Sequence, residues 1–102
     1  MMKLAVEIVR FLDEHQPGGV DVQFSDAVTR THTFRDKVPI FTERDLTPAS
    51  DYPQPGVIRC ELLSESSDKL SARISTLRPD GLESTEGLSE FLVNSTQLSN
   101  FK

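Results

Sequence analysis

The run Val20-Asp21-Val22-Gln23-Phe24-Ser25-Asp26-Ala27-Val28-Thr29-Arg30-Thr31-His32-Thr33-Phe34 decides the fold. Val20, Val22 and Phe24 alternate with Asp21, Gln23 and Ser25. Beyond a short turn, Thr31, Thr33 and Arg35 alternate with His32, Phe34 and Asp36. A strand sends successive side chains to opposite faces, so this period of two predicts two strands, each with one buried and one wet face. The turn Asp26-Ala27-Val28-Thr29 lacks glycine, which leaves its type open.

Working outward, the third strand is expected from Arg30 to about Phe41. Pro39 cannot donate to a ladder, so an edge, a bulge or the strand's end is expected there. Towards the N-terminus, Leu4 to Leu12 fits two readings. As a helix it gathers Leu4, Ala5, Ile8, Phe11 and Leu12 on one stripe. As a strand it places Leu4, Val6, Ile8 and Leu12 on one face, interrupted by Arg10, and the β-branched Val6, Ile8 and Val9 favour this. The polar connector Asp13-Glu14-His15-Gln16-Pro17-Gly18-Gly19 then makes a hairpin the preferred reading.

Towards the C-terminus, Thr42 to Gly56 is irregular. Thr42 with Asp45 resembles a capping box, which predicts a helical turn at Glu43–Leu46. Pro53 and Pro55 predict an extended Tyr52-Pro53-Gln54-Pro55. Further strands are expected at Val57 to Leu63, Leu70 to Thr76 and Leu88 to Val93, with a polar turn over Ser64–Lys69 and a loop over Leu77–Gly87. Asn94 with Gln97 predicts a terminal turn ending near Phe101. The expected fold is one all-β domain over residues 1–102, a six-stranded antiparallel small barrel or sandwich with one or two short helical turns. The alternative is α+β with an N-terminal helix.

The chain has 102 residues, 36% apolar and 26% charged, with a net charge of −5. That length holds one core without metal or disulfide staples. The negative charge argues against binding nucleic acid or an anionic membrane and permits a basic protein partner. Cys60 is the only cysteine, so no internal disulfide forms, as expected in a reducing cytoplasm. Glu7 and Arg10 interrupt any apolar leader, so neither a signal peptide nor a membrane span is expected. The sequon Asn94-Ser95-Thr96 is read as chance.

Few residues invite chemistry. His15, His32 and Cys60 are too scattered for a zinc site, and no cofactor is expected. Cys60 shares strand parity with Ile58 and Leu62 and reads as a core residue. Ser84 lacks a nucleophile elbow and reads as a turn hydroxyl. His32, with Arg35 or Arg59 and with Glu61, supplies the residue types of a small nuclease or hydrolase, which is the alternative enzymatic reading. His32 itself is expected to be half-exposed.

The remaining signal is acidic. Asp80, Glu83 and Glu86 crowd one loop, and Glu43, Asp45 and Asp51 the other. If both loops gather at one end of the domain, they form an acidic rim around Tyr52 and Leu82 that steers a basic partner, with Tyr52 as anchor.

His15-Gln16-Pro17-Gly18, Phe34-Arg35-Asp36-Lys37-Val38-Pro39, Tyr52-Pro53-Gln54-Pro55-Gly56-Val57-Ile58 and Glu83-Ser84-Thr85-Glu86-Gly87 together resemble small bacterial proteins of similar length and no settled activity. The resemblance implies a compact all-β bacterial domain and transfers no functional residue. Size and acidity are also similar to those of immunity proteins of polymorphic toxin systems, a likeness of class. The leading expectation is a non-catalytic, cytosolic immunity protein that docks its acidic loops over a basic toxin domain. An accessory subunit of a larger complex is a third reading. The chain is expected to be a monomer or a dimer through an edge strand.

Overall fold

The structure, a computed structural model describing residues 1–12 and 18–100, is built on one curved antiparallel sheet. Its elements are β1 (Met2–Phe11), β2 (Gly19–Ser25), β3 (Thr31–Lys37), helix α1 (Val38–Phe41), β4 (Gln54–Glu65), β5 (Ser71–Ser75), β6 (Glu90–Asn94) and β7 (Leu98–Asn100). The strand order is β3-β2-β1-β4-β5-β6, and β7 pairs with β1 beside Met2–Leu4. The all-β expectation therefore holds, with β7 as a short addition to the six anticipated strands. Most of the expected connector, residues 13–17, and the expected turn end at Phe101 lie outside the described residues.

The first segment is a strand. Leu4, Val6 and Ile8 are buried while Ala5 and Glu7 are exposed, a period of two rather than a helical stripe. β4 is the long spine. Its first half pairs with β1 from Gln54 to Cys60, and its second half pairs with β5 from Glu61 to Glu65. Gly56 makes this possible at one crowded point. A Cβ there would lie 3.0 Å from the Ile8 side chain and 3.2 Å from the Phe41 carbonyl oxygen.

Three local expectations need correction. Val38–Phe41 is a helical turn, not the end of β3. Pro39 sits in its first turn, where a missing N–H costs nothing and the fixed φ suits a helix. The turn expected at Glu43–Leu46 is absent; the Thr42 hydroxyl instead accepts from the Arg44 amide at 3.1 Å. Tyr52–Pro53 is a cis peptide, and the extended strand begins only at Gln54.

The core lies on the concave face. It joins Leu4, Ile8, Val20, Val22, Phe34, Phe41, Ile58, Ile74 and Val93. β6 closes towards β2 and β3 without a ladder. The Phe91 ring meets Phe24 edge-on at 5.2 Å and stands 5.7 Å from Phe34. Single hydrogen bonds finish the seam, from the Ala27 amide to the Leu92 carbonyl at 2.9 Å and from the Thr85 amide to the Thr33 carbonyl at 2.8 Å. The fold is thus a half-barrel whose open side is filled by aromatic rings and loops.

Candidate functional site

The loop from Thr42 to Pro53 leaves α1 and returns into β4. Its order comes from its own polar side chains. The Ser50 amide donates to the Thr47 carbonyl at 3.1 Å, and the Ser50 hydroxyl accepts from the Thr47 amide at 3.0 Å. The Tyr52 hydroxyl donates to the Thr47 carbonyl at 2.6 Å, which ties the two ends of this turn together. The Gln54 amide nitrogen donates to the Asp51 carbonyl at 2.7 Å, and its amide oxygen accepts from Arg44 at 2.9 Å. Underneath, Ile40, Leu46 and Tyr52 pack partly against the core. This leaves Glu43, Asp45 and Asp51 exposed on an ordered scaffold, and none of the three is held in an ion pair among the described residues.

The acids of the second loop have other commitments. Asp80 binds Arg59 side-on, with the arginine Nε 3.2 Å from its carboxylate. Glu86 pairs with Arg30 at 3.0 Å, both side chains more than half exposed. Glu83 is exposed. Ser84 is buried, and its hydroxyl accepts from the Leu88 and Glu86 amides at 3.1 and 3.3 Å, the turn role expected of it. Leu82 is a core residue at 3% exposure, not part of a rim.

Glu43 and Arg59 line one groove together with Lys3 and Val57. Asp80, bound to Arg59, therefore stands beside the groove that Glu43 borders. Glu86 lies elsewhere. Arg30 holds it at the turn before β3, whereas the Thr42–Pro53 loop follows α1 at the far end of that strand. Seven strand residues separate those ends, about 20 Å at the usual rise.

The nuclease-type residues do not assemble. His32 points inward at 3% exposure, between the rings of Phe24 and Phe91. Arg59 and Glu61 flank Cys60, whose side chain is fully buried, so they emerge on the opposite, convex face. The expected half-exposure of His32 is thereby corrected. Burial pushes the Cys60 thiol up to about 11, which keeps it in the weakly nucleophilic protonated form. Among the described residues, no three His, Cys, Asp or Glu side chains gather as metal ligands, and no helix is long and apolar enough to cross a membrane.

One feature escaped the sequence. Asp21 is polar by pattern, yet it is 3% exposed. Arg10 and Arg35, on the strands to either side, fold over it from the convex face, donating at 2.9 and 2.8 Å. The only available signal was the matching parity of Asp21 and Arg35 in neighbouring strands. The chain matches no family model, no curated protein and no solved structure.

Proposed function

We propose that this chain is a non-catalytic protein-binding module that presents the Thr42–Pro53 loop to a partner with a basic surface. The observation that carries the reading is the ordered loop itself, in which Glu43, Asp45 and Asp51 stand exposed around an anchored Tyr52. A loop fixed before binding loses less conformational entropy on docking. Its uncommitted carboxylates accelerate encounter with a cationic surface. Asp80, paired with Arg59, lies beside Glu43, and the exposed Glu83 acts as a more distant steering charge, while the charge of Glu86 is offset by Arg30. In its most concrete form the module is a cytosolic immunity protein covering the cationic site of a toxin domain. The first candidate partner is the product of the adjacent gene.

Carbodiimide cross-linking of the complex tests the reading, because it joins carboxylates directly to partner lysines. Cross-links at Glu43, Asp45 or Asp51 support it. A complex cross-linked only through acids outside the Thr42–Pro53 loop counts against it.

An accessory-subunit reading draws on Leu62, Leu63, Leu70 and Leu92, exposed by 42%, 46%, 70% and 38% on the β4–β5–β6 half of the sheet. Partner contacts confined to those leucines would favour it.

A further inference from the structure

The convex face of β1–β2–β3 carries a cationic cradle in an otherwise acidic chain. Its first row is Arg10, Asp21 and Arg35, which the strand register sets side by side. Arg10 reaches that row only because of an irregularity in β1. Ile8 pairs with Val22, and the next pair is Arg10 with Asp21, so Val9 is the extra residue. Without the bulge Val9 would face Asp21, and Arg10 would turn to the concave side. Bulges of this kind re-aim side chains.

The second row is Lys37 opposite Gly19. Gly19 has no side chain, so the floor between the cations is open. Arg10, Leu12, Gly19, Arg35, Asp36 and Lys37 line a shared depression.

Among the described residues, the charges in this cradle do not balance. One carboxylate, Asp21, receives Nε of both arginines and, at 3.3 Å, a terminal nitrogen of Arg35. A single guanidinium would satisfy it. Lys37 adds a third cation and Asp36 a second carboxylate, whose oxygen accepts from the Lys37 amide at 2.9 Å. Among the described residues, Glu7 is the next carboxylate, opposite Gln23 in the adjoining row. Asp21 remains ionised because, although burial pushes its carboxyl up, the bonds and charges of Arg35 and Arg10 outweigh that and bring it below the usual range. It therefore holds both guanidinium planes in place, while their side chains stay 63% and 58% exposed. Their outer N–H groups have no other partner among the described residues.

We infer that Arg10, Arg35 and Lys37, aligned over Asp21 and Gly19, bind the phosphate group of a small phosphomonoester or of a phosphorylated side chain. Two fixed forks and an ammonium group match the several acceptor oxygens and double charge of a phosphomonoester. A polyanion such as nucleic acid would meet the repulsion of a chain with a net charge of −5, whereas a single phosphate would feel it less. The cradle is separate from the Thr42–Pro53 loop and does not depend on the docking reading.

Titration with inorganic phosphate, at ionic strength held constant with chloride, tests this through the outer guanidinium (Nη–H) signals of the arginines in low-temperature NMR spectra. Saturable shifts are expected at Arg10 and Arg35. Lys37→Gln, which leaves the Asp21 pairs intact, should weaken phosphate binding severalfold. The double change Arg10→Lys and Arg35→Lys keeps positive charge over Asp21 but removes the forks, and should weaken it at least tenfold. Ribose 5-phosphate and a phosphoserine peptide then separate the two ligand sources, the tighter one identifying which the cradle takes. Outer guanidinium N–H signals that do not move, because another carboxylate of the chain already holds them or because phosphate does not bind, overturn the inference. So does equal affinity in wild type and Lys37→Gln, or an equal response to acetate.

Discussion

The Nε2 atom of His32 lies 2.7 Å from a carboxylate oxygen of Asp26, inside the turn that joins β2 to β3. An ionised carboxylate only accepts, so His32 donates from Nε2. Its other ring nitrogen, Nδ1, is buried without a hydrogen-bond partner among the described residues. The second Asp26 oxygen accepts from the Val28 and Arg30 amides at 2.9 and 3.0 Å. One side chain thus replaces the glycine that the turn lacks, and Thr29 takes the left-handed conformation at φ 66°. The same carboxylate holds His32 against Phe91, the ring that closes the half-barrel, at 4.7 Å.

Asp26→Asn should therefore destabilise the fold by about 1.5–3 kcal/mol, the range for bonds to a charged acceptor. Burial pushes the Asp26 carboxyl up, but the bonds from His32, Arg30 and Val28 outweigh it and lower the group below its ordinary 3.8. A lowered folded-state value means that the stabilisation is full above the unfolded value and is lost as pH falls through the folded one. Urea unfolding of both proteins should show a constant gap near pH 6 that closes below about pH 4. A gap that persists unchanged at low pH contradicts the assignment.

Phe91 carries the closure of β6, so Phe91→Ala should cost about 3–5 kcal/mol. Its neighbour Leu92, 38% exposed on the other face, should lose no more than about 0.5 kcal/mol on truncation to Ala. Equilibrium denaturation of the two variants checks the contrast. Equal losses would mean that the aromatic seam does not hold the half-barrel together.

Cys60 is fully buried, with its thiol pushed up to about 11. Only a thiolate attacks a disulfide reagent, so at pH 8 the native protein should react about a hundredfold or more slowly than the unfolded chain. Stopped-flow labelling with an aromatic disulfide measures this. The native rate should rise with urea as global opening becomes frequent. Rapid labelling without denaturant would place the thiol at the surface.

How far the residues announce this fold depends on the range of the interaction. Val20–Phe34 and Leu4–Ile8 are readable because alternation is local, and each strand carries its own pattern. Pro39 carried a signal for a helix start that the neighbouring apolar residues obscured. β7 is three residues long, too short to show a period. The site was less legible because its chemistry is non-local. Asp80 pairs with Arg59 across 21 positions and Glu86 with Arg30 across 56, so their counter-ions were invisible from the loop alone. Asp21 is buried by arginines supplied by two other strands, and His32 is enclosed by Phe91, far along the chain. Alternation places a residue on a face but does not say what covers that face.

The docking account rests on Glu43, Asp45 and Asp51 as a working surface. Its most direct test is the affinity of the partner for wild type and for the combined Glu43→Ser, Asp45→Ser and Asp51→Ser variant across a range of salt concentrations. The account predicts at least tenfold weaker binding by the variant at low salt and a clearly shallower salt dependence, with the melting temperature unchanged. Equal affinity and equal salt dependence in the two proteins would contradict it.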